Sequence, residues 1–199
     1  WAFKDHGKSW DAVYERDHPT GFRWLHESFG TNWRMLEIQA VIGRIQLSRM
    51  AEWTAARNTN AAAIATALSP FASDTGPIRL PHFACATCVG CSSQTGCTHA
   101  QYKFYAYVRQ DSLASGWTRN RIVDEIVSSG VPCFQGTCSE VYLEKAFNGT
   151  GWRPKERLPV AKELGETSLM FLVHPTLTEL EIGKTAEVIS KVLRQASRP

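Results

Sequence analysis

Four cysteines crowd into one stretch, Cys85-x-x-Cys88-x-x-Cys91-x5-Cys97, with His82 and His99 at its edges. Four soft thiolates on one loop could wrap a tetrahedral zinc ion, which tolerates short chelate loops. An iron–sulfur cluster also takes closely spaced cysteines, but the last gap here is five residues rather than the three of the bacterial ferredoxin run. The plain alternative is a surface loop of free thiols. A metal here would be structural, and the function class it suggests is a zinc-stabilised interaction module. Cys133 and Cys138 are a different case. They flank a Phe-Gln-Gly-Thr turn, and no base stands near them in sequence to activate a thiol.

His174 follows the run Ser168-Leu169-Met170-Phe171-Leu172-Val173 and precedes Pro175. That places it at the end of a strand, where α/β proteins often present ligand-binding groups. A structural, hydrogen-bonded histidine is the simpler reading. Gly30-Thr31-Asn32-Trp33-Arg34-Met35 lies just ahead of a helical run. Its backbone N–H groups, the Asn32 amide and the Arg34 guanidinium are donors that can hold a phosphate at a helix N-terminus. A plain helix cap with a solvated arginine uses the same residues. Neither G-x-x-x-x-G-K-[ST], nor G-x-G-x-x-G, nor G-x-S-x-G occurs, so no glycine-rich cradle or nucleophile elbow is present in this chain.

The elements that must position these groups follow from periodicity. A short helix is expected near 10–16. Met35, Ile38, Val41, Ile42 and Ile45 recur at helical spacing, and no proline intervenes before Pro70, so 35–69 reads as one long helix or two joined end to end. Residues 70–100 read as loop. Tyr102 to Val108 is a strand, and Thr118 caps a helix closed by Gly130. A short strand at Val131–Phe134 follows, then a helix over Ser139–Phe147 and a helix from Pro159 stopped by Gly165. After the apolar strand 168–173, Thr178-x-x-Glu181 is a capping box opening the last helix. Strands alternate with helices from 102 onward, which predicts an α/β (α+β) small lobe hung on a long helix.

The 199 residues carry 22 basic and 19 acidic side chains, a net charge of +3, and 43% of them are hydrophobic. This near-balance lacks the basic stripe of a nucleic-acid binder. No apolar run reaches the ~18–20 residues of a membrane span. The first residues lack a signal-peptide pattern, so the expected compartment is cytoplasmic, where cysteines stay reduced. Trp1 is not a natural start, which predicts a chain cut at its front.

Gly30-x-Asn32-x-Arg34-Met35-x-Glu37-x-Gln39-Ala40-x-x-Gly43-x-x-Gln46-Leu47 resembles the G-Y-N-Y-R-M-x-E-x-Q-A-A-x-G-x-x-Q-L signature of the DegT/DnrJ/StrS nucleotide-sugar aminotransferases. Phe3-Lys4-Asp5-His6-Gly7 resembles the family's R-x-H-G segment. Leu158-Pro159-Val160-Ala161 and Leu172-Val173-His174-Pro175-x-Leu177-Thr178 are similar to its later stretches. The matches run in order over nearly the whole chain.

The resemblance implies the C-terminal part of a fold-type-I enzyme dependent on pyridoxal 5′-phosphate (PLP). Such an enzyme moves an amino group, usually from glutamate, to a nucleotide-linked keto-sugar, as a homodimer. The expected division is 1–34 as the tail of the large domain, 35–69 as linking helix, and 70–199 as the small domain with its Cys-rich loop 82–99. No lysine here matches the family's catalytic position, so this chain alone should be inactive. Asn32 matches the asparagine that reaches the PLP phosphate of the partner subunit, with Arg34 as a weaker candidate beside it. His174 matches a histidine on the sugar-nucleotide side. Trp33 replaces a tyrosine, the Cys85–Cys97 loop is outside the family pattern, and Val131 to Gln135 stands where many members carry a His- or Tyr-bearing substrate loop.

Overall fold

In the computed structural model, residues 2–18, 20, 25–81 and 98–198 are described. The long apolar run forms one continuous helix, α2, over Glu37–Leu68. The chain divides into two units, Trp1–Met50 and Ala51–Pro199, and the division falls inside α2.

The first unit holds a 3-10 turn at Ala2–Lys4, a short helix α1 at Trp10–Tyr14, and the first half of α2. Ser9 caps α1, its hydroxyl accepting from the Ala12 N–H at 3.1 Å. The helix stops short of the expected residue 16 because Arg16 turns its guanidinium back onto Asp11 and across to Glu27. Along α2, Ile38, Val41, Ile42 and Ile45 are exposed, and so are Leu47 and Met50 on another side of the helix, as are Met35 and Leu36 just ahead of it.

In the second unit, strands β1 (Ile78–Arg79), β2 (Phe104–Val108), β3 (Cys133–Phe134) and β4 (Ser168–Phe171) form one sheet, in the order β1-β2-β4-β3. Every pairing is antiparallel. Phe104, Ala106 and Val108 alternate inward along β2, the period expected of a strand with one buried face. They meet Ile122 and Ile126 of α3 (Arg119–Ser128), Ile189 and Leu193 of α5 (Glu179–Ala196), and Ile64 and Leu68 of α2. The lobe is thus a small antiparallel α+β layer. Both expected caps form: Thr118 accepts from the Arg121 N–H, and Thr178 and Glu181 make the reciprocal capping box.

Four expectations are corrected. Ser139–Phe147 is not a helix but two 3-10 turns, Val141–Leu143 and Lys145–Phe147. Arg153 donates to the carbonyls of Tyr142, Leu143 and Glu144 at 2.8, 3.1 and 3.0 Å, occupying acceptors that a helix would need. Gly165 does not stop α4, which runs Pro159–Thr167. Its hydrogen serves packing instead, because a Cβ there would lie 2.2 Å from Ser139 Oγ. The last strand ends at Phe171, two residues early, and the loop 70–100 contains the two-residue β1.

Candidate functional site

The two N-terminal segments singled out by sequence fold against each other. Lys8 N–H donates to the Asp5 carbonyl at 3.1 Å, closing a tight turn whose central residues, His6 (φ +62°) and Gly7 (φ +91°), are both left-handed. That is the pattern of a type I′ turn. A Cβ on Gly7 would lie 1.6 Å from the Ser28 carbonyl oxygen, so only glycine fits. Beyond the turn, Thr31 N–H donates to the Phe3 carbonyl at 2.7 Å, His6 N–H to the Thr31 carbonyl at 3.0 Å, and Trp33 N–H to the Lys4 carbonyl at 3.0 Å. Asp5 and Asn32 thereby become bridge partners. Phe3 and Trp33 meet edge to face, 5.1 Å between ring centres.

Side chains complete the cluster. Asp5 is buried at 2% exposure. A hydrogen bond from Lys4 holds its carboxyl below the usual range against the opposing effect of burial, and the charge of Arg34 adds to this. Arg34 Nη1 lies 3.4 Å from Asp5 Oδ1, its Nε donates to Asn32 Oδ1 at 3.2 Å, and its Nη2 contacts His6 Nε2 at 3.1 Å. Guanidinium nitrogens only donate, so His6 Nε2 is the acceptor and the ring carries its proton on Nδ1. The oxygen of the Asn32 carboxamide is therefore taken, and its N–H2 makes no bond among the described residues.

This donor set suits a phosphate. An anion needs N–H groups with no competing acceptor in front of them, and Asn32 offers two. Arg34 keeps two of its five N–H groups, and the one carboxylate in the cluster is buried and neutralised by Lys4 and Arg34. Asn32 and Arg34, both expected from sequence, are joined to each other. Asp5 and His6, part of the upstream motif, carry no sequence signal of this role. The glycines of the two motifs explain how closely the segments approach, since a Cβ on Gly30 would meet Gly7 N at 2.4 Å.

The second unit holds the other candidates. His174 is exposed in the turn after β4; its Nδ1 pairs with Thr176 Oγ1 at 2.7 Å, and its carbonyl accepts from Asn60 of α2 at 3.1 Å. A cleft of about 460 Å³ lies nearer β3, lined by Gln135, Thr137, Cys138, Ser139, Glu144 and Glu166 among others. At its edge Glu140 accepts from Tyr142 at 2.6 Å and from Arg157 Nε at 2.9 Å. Those bonds, Arg157 first, pull its carboxyl down to about 2. Cys133 is buried beside β4, and burial pushes its thiol up to about 12, far from a nucleophile's range. Cys85, Cys88, Cys91 and Cys97 lie outside the described residues, as does His82. Among the described residues no group of three or more His, Cys, Asp or Glu is placed to hold a metal, and no helix is long and apolar enough to cross a membrane.

The fold agrees with comparison to known proteins. The chain belongs to the DegT/DnrJ/EryC1/StrS aminotransferase family, whose sequence model matches residues 2–192. An aminotransferase from Psychrobacter cryohalolentis, solved by X-ray, is 58% identical with a TM-score of 0.82, over 98% of this chain and 48% of that one. 3-Amino-5-hydroxybenzoic acid synthase shares the fold at 21% identity and a TM-score of 0.66, over 98% of this chain and 46% of that one. So does a Streptococcus pneumoniae protein assigned as a sugar aminotransferase and solved in a PLP form, at 16% identity and a TM-score of 0.68, over 97% and 42%. The chain thus spans less than half the length of these structures. No curated protein matches it.

Proposed function

We propose that this chain is the C-terminal part of a PLP-dependent aminotransferase that moves an amino group, from glutamate as the expected donor, onto a nucleotide-linked keto-sugar for amino-sugar or polysaccharide synthesis. The observation that carries this reading is the pairing of Phe3–Gly7 with Gly30–Arg34, which leaves the Asn32 N–H2 outward with its oxygen locked. In this reading residues 1–34 close the large domain, 35–69 link, and 70–199 form the small domain of a cytoplasmic homodimer. The exposed apolar residues of the first half of α2, Ile38, Val41, Ile42 and Ile45 along one side with Leu47 and Met50 on another, support a longer polypeptide or a partner that covers them.

PLP, when bound, supplies the electron sink for moving an amino group between carbons. This chain's part is to hold and orient. Asn32 donates to the phosphate of the cofactor in the second subunit, and Arg34 keeps that carboxamide turned outward. His174, with Nδ1 engaged by Thr176, presents Nε2 to the sugar-nucleotide side. The catalytic lysine belongs to the remainder of the parent protein, so the 199 residues alone are inactive. The test is the parent polypeptide with PLP, glutamate and a panel of nucleotide-linked keto-sugars. One 2-oxoglutarate formed per aminated sugar supports the reading. Glutamate consumption with no sugar in the panel aminated contradicts the substrate class, and an absence of both contradicts the activity.

A further inference from the structure

Asp5 is the single buried carboxylate of the first unit's cluster, and its place there is not explained by packing. It pairs with both Lys4 and Arg34. Arg34 in turn is gripped on three sides, by Asp5, by the His6 ring and by the Asn32 oxygen. A long side chain carries much rotamer entropy, which three simultaneous partners restrict before any ligand arrives. The carboxamide of Asn32 is symmetric in shape and can flip, exchanging its oxygen for its N–H2. A guanidinium can only donate, so fixing Arg34 next to Oδ1 forbids the flip.

We infer that Asp5 and His6 are positioning residues which, through Arg34, lock the Asn32 carboxamide with its N–H2 toward an anion. The inference rests on the phosphate-anchoring role of Asn32 argued above and adds the residues that set its orientation. His6 contributes as an acceptor and therefore in its Nδ1–H form; the charged group against its ring is Arg34. Asp5 contributes as a buried carboxylate, its Oδ1 3.4 Å from Arg34 Nη1. The left-handed backbone at His6 is part of the same device. It aims the ring at Arg34 from a turn that pairs with the Asn32 segment.

The experiment uses the 199-residue chain, labelled with nitrogen-15, and inorganic phosphate as the probe. Side-chain N–H2 signals of Asn32, the imidazole nitrogen shifts of His6 and the phosphate affinity are read in wild type, Asp5→Asn, His6→Gly and His6→Gln. Glycine removes the ring without straining the positive φ, and glutamine restores an acceptor. Backbone amide spectra establish that each variant is folded. The expected result is a proton on Nδ1 of His6 and an ordered Asn32 N–H2 pair that shifts with phosphate. Asp5→Asn and His6→Gly should lose that order and weaken phosphate about three- to tenfold, the effect of one hydrogen bond, while His6→Gln recovers part of it. An Asn32 pair equally ordered in all four proteins overturns the inference while leaving the anion site standing. An ordered Asn32 pair blind to phosphate overturns the anion site itself, and the inference with it.

Discussion

Asn60, on the second half of α2, donates its carboxamide to the main-chain oxygen of His174 at 3.1 Å, joining residues 114 apart in sequence. The same oxygen accepts from the Leu177 N–H at 3.1 Å, so the turn after β4 is fastened both to itself and to the long helix. The turn that presents the His174 ring is thus set by α2 as well as by the strand before it.

Asn60→Ala should therefore loosen that turn. A neutral hydrogen bond contributes about 0.5–1.5 kcal/mol, and the lower end applies because water can reach His174 in its place. Urea unfolding should show a loss of about 0.5 kcal/mol, with faster hydrogen exchange at the Leu177 amide. Unchanged exchange at Leu177 would mean that the turn holds without the helix.

Glu140 gives a prediction in pH. Its carboxyl sits at about 2 in the folded chain, against about 4.3 for a free glutamate. A depressed value means that the contribution to stability is complete above about 4.3 and is lost as pH falls toward 2. The protection of the amides at 141–147, relative to their intrinsic exchange at each pH, should fall through that window. Glu140→Gln should abolish the step while leaving those amides less protected at neutral pH. A step that survives in Glu140→Gln would assign it to another carboxylate.

Gly7→Ala should open the pairing of the two N-terminal segments. The added Cβ meets the Ser28 oxygen, and a left-handed alanine adds strain of roughly 1–3 kcal/mol. The His6 and Trp33 amides, which bond across the pairing, should lose protection together. If both remain protected in the variant, the close approach at Gly7 is not what fixes the turn.

Much of the second unit was legible in the sequence because its signals are local. Thr118, Thr178 and Glu181 cap their own helices, and β2 alternates along its own length. What misled was non-local. The helix expected over Ser139–Phe147 has suitable residues, yet Arg153 and the Glu140–Arg157 pair, both reaching from a distance in sequence, claim its groups. Gly165 reads as a stop signal until Ser139 is seen beside it. β1 is two residues long and exists only because Val108 and Tyr107 pair with it. At the candidate site, Asn32 and Arg34 were visible through a family resemblance. Asp5 and His6 were not assigned roles, because nothing in linear spacing says that residues 5 and 34 meet.

The two described cysteines should behave oppositely toward an alkylating reagent. Cys138 is exposed, whereas Cys133 is buried with its thiol raised to about 12, which leaves almost no thiolate at neutral pH. Peptide mapping of the folded protein after brief iodoacetamide treatment should find Cys138 modified and Cys133 untouched until denaturant is added. Modification of Cys133 under native conditions would show that the β3–β4 pairing opens readily.

The most direct test of the proposed role of Asn32 mixes two versions of the parent protein, one carrying Asn32→Ala and the other lacking the catalytic lysine. Bonds to a charged acceptor contribute about 1.5–3 kcal/mol, so Asn32→Ala alone should weaken PLP retention roughly ten- to a hundredfold. If Asn32 serves the cofactor of the second subunit, the site on the Asn32→Ala subunit has its own lysine and borrows an intact Asn32. Verified mixed dimers should then recover activity at limiting PLP, with one working site of the two. No recovery in such dimers would contradict the account, leaving Asn32 to act within its own subunit or only to order the segment before α2.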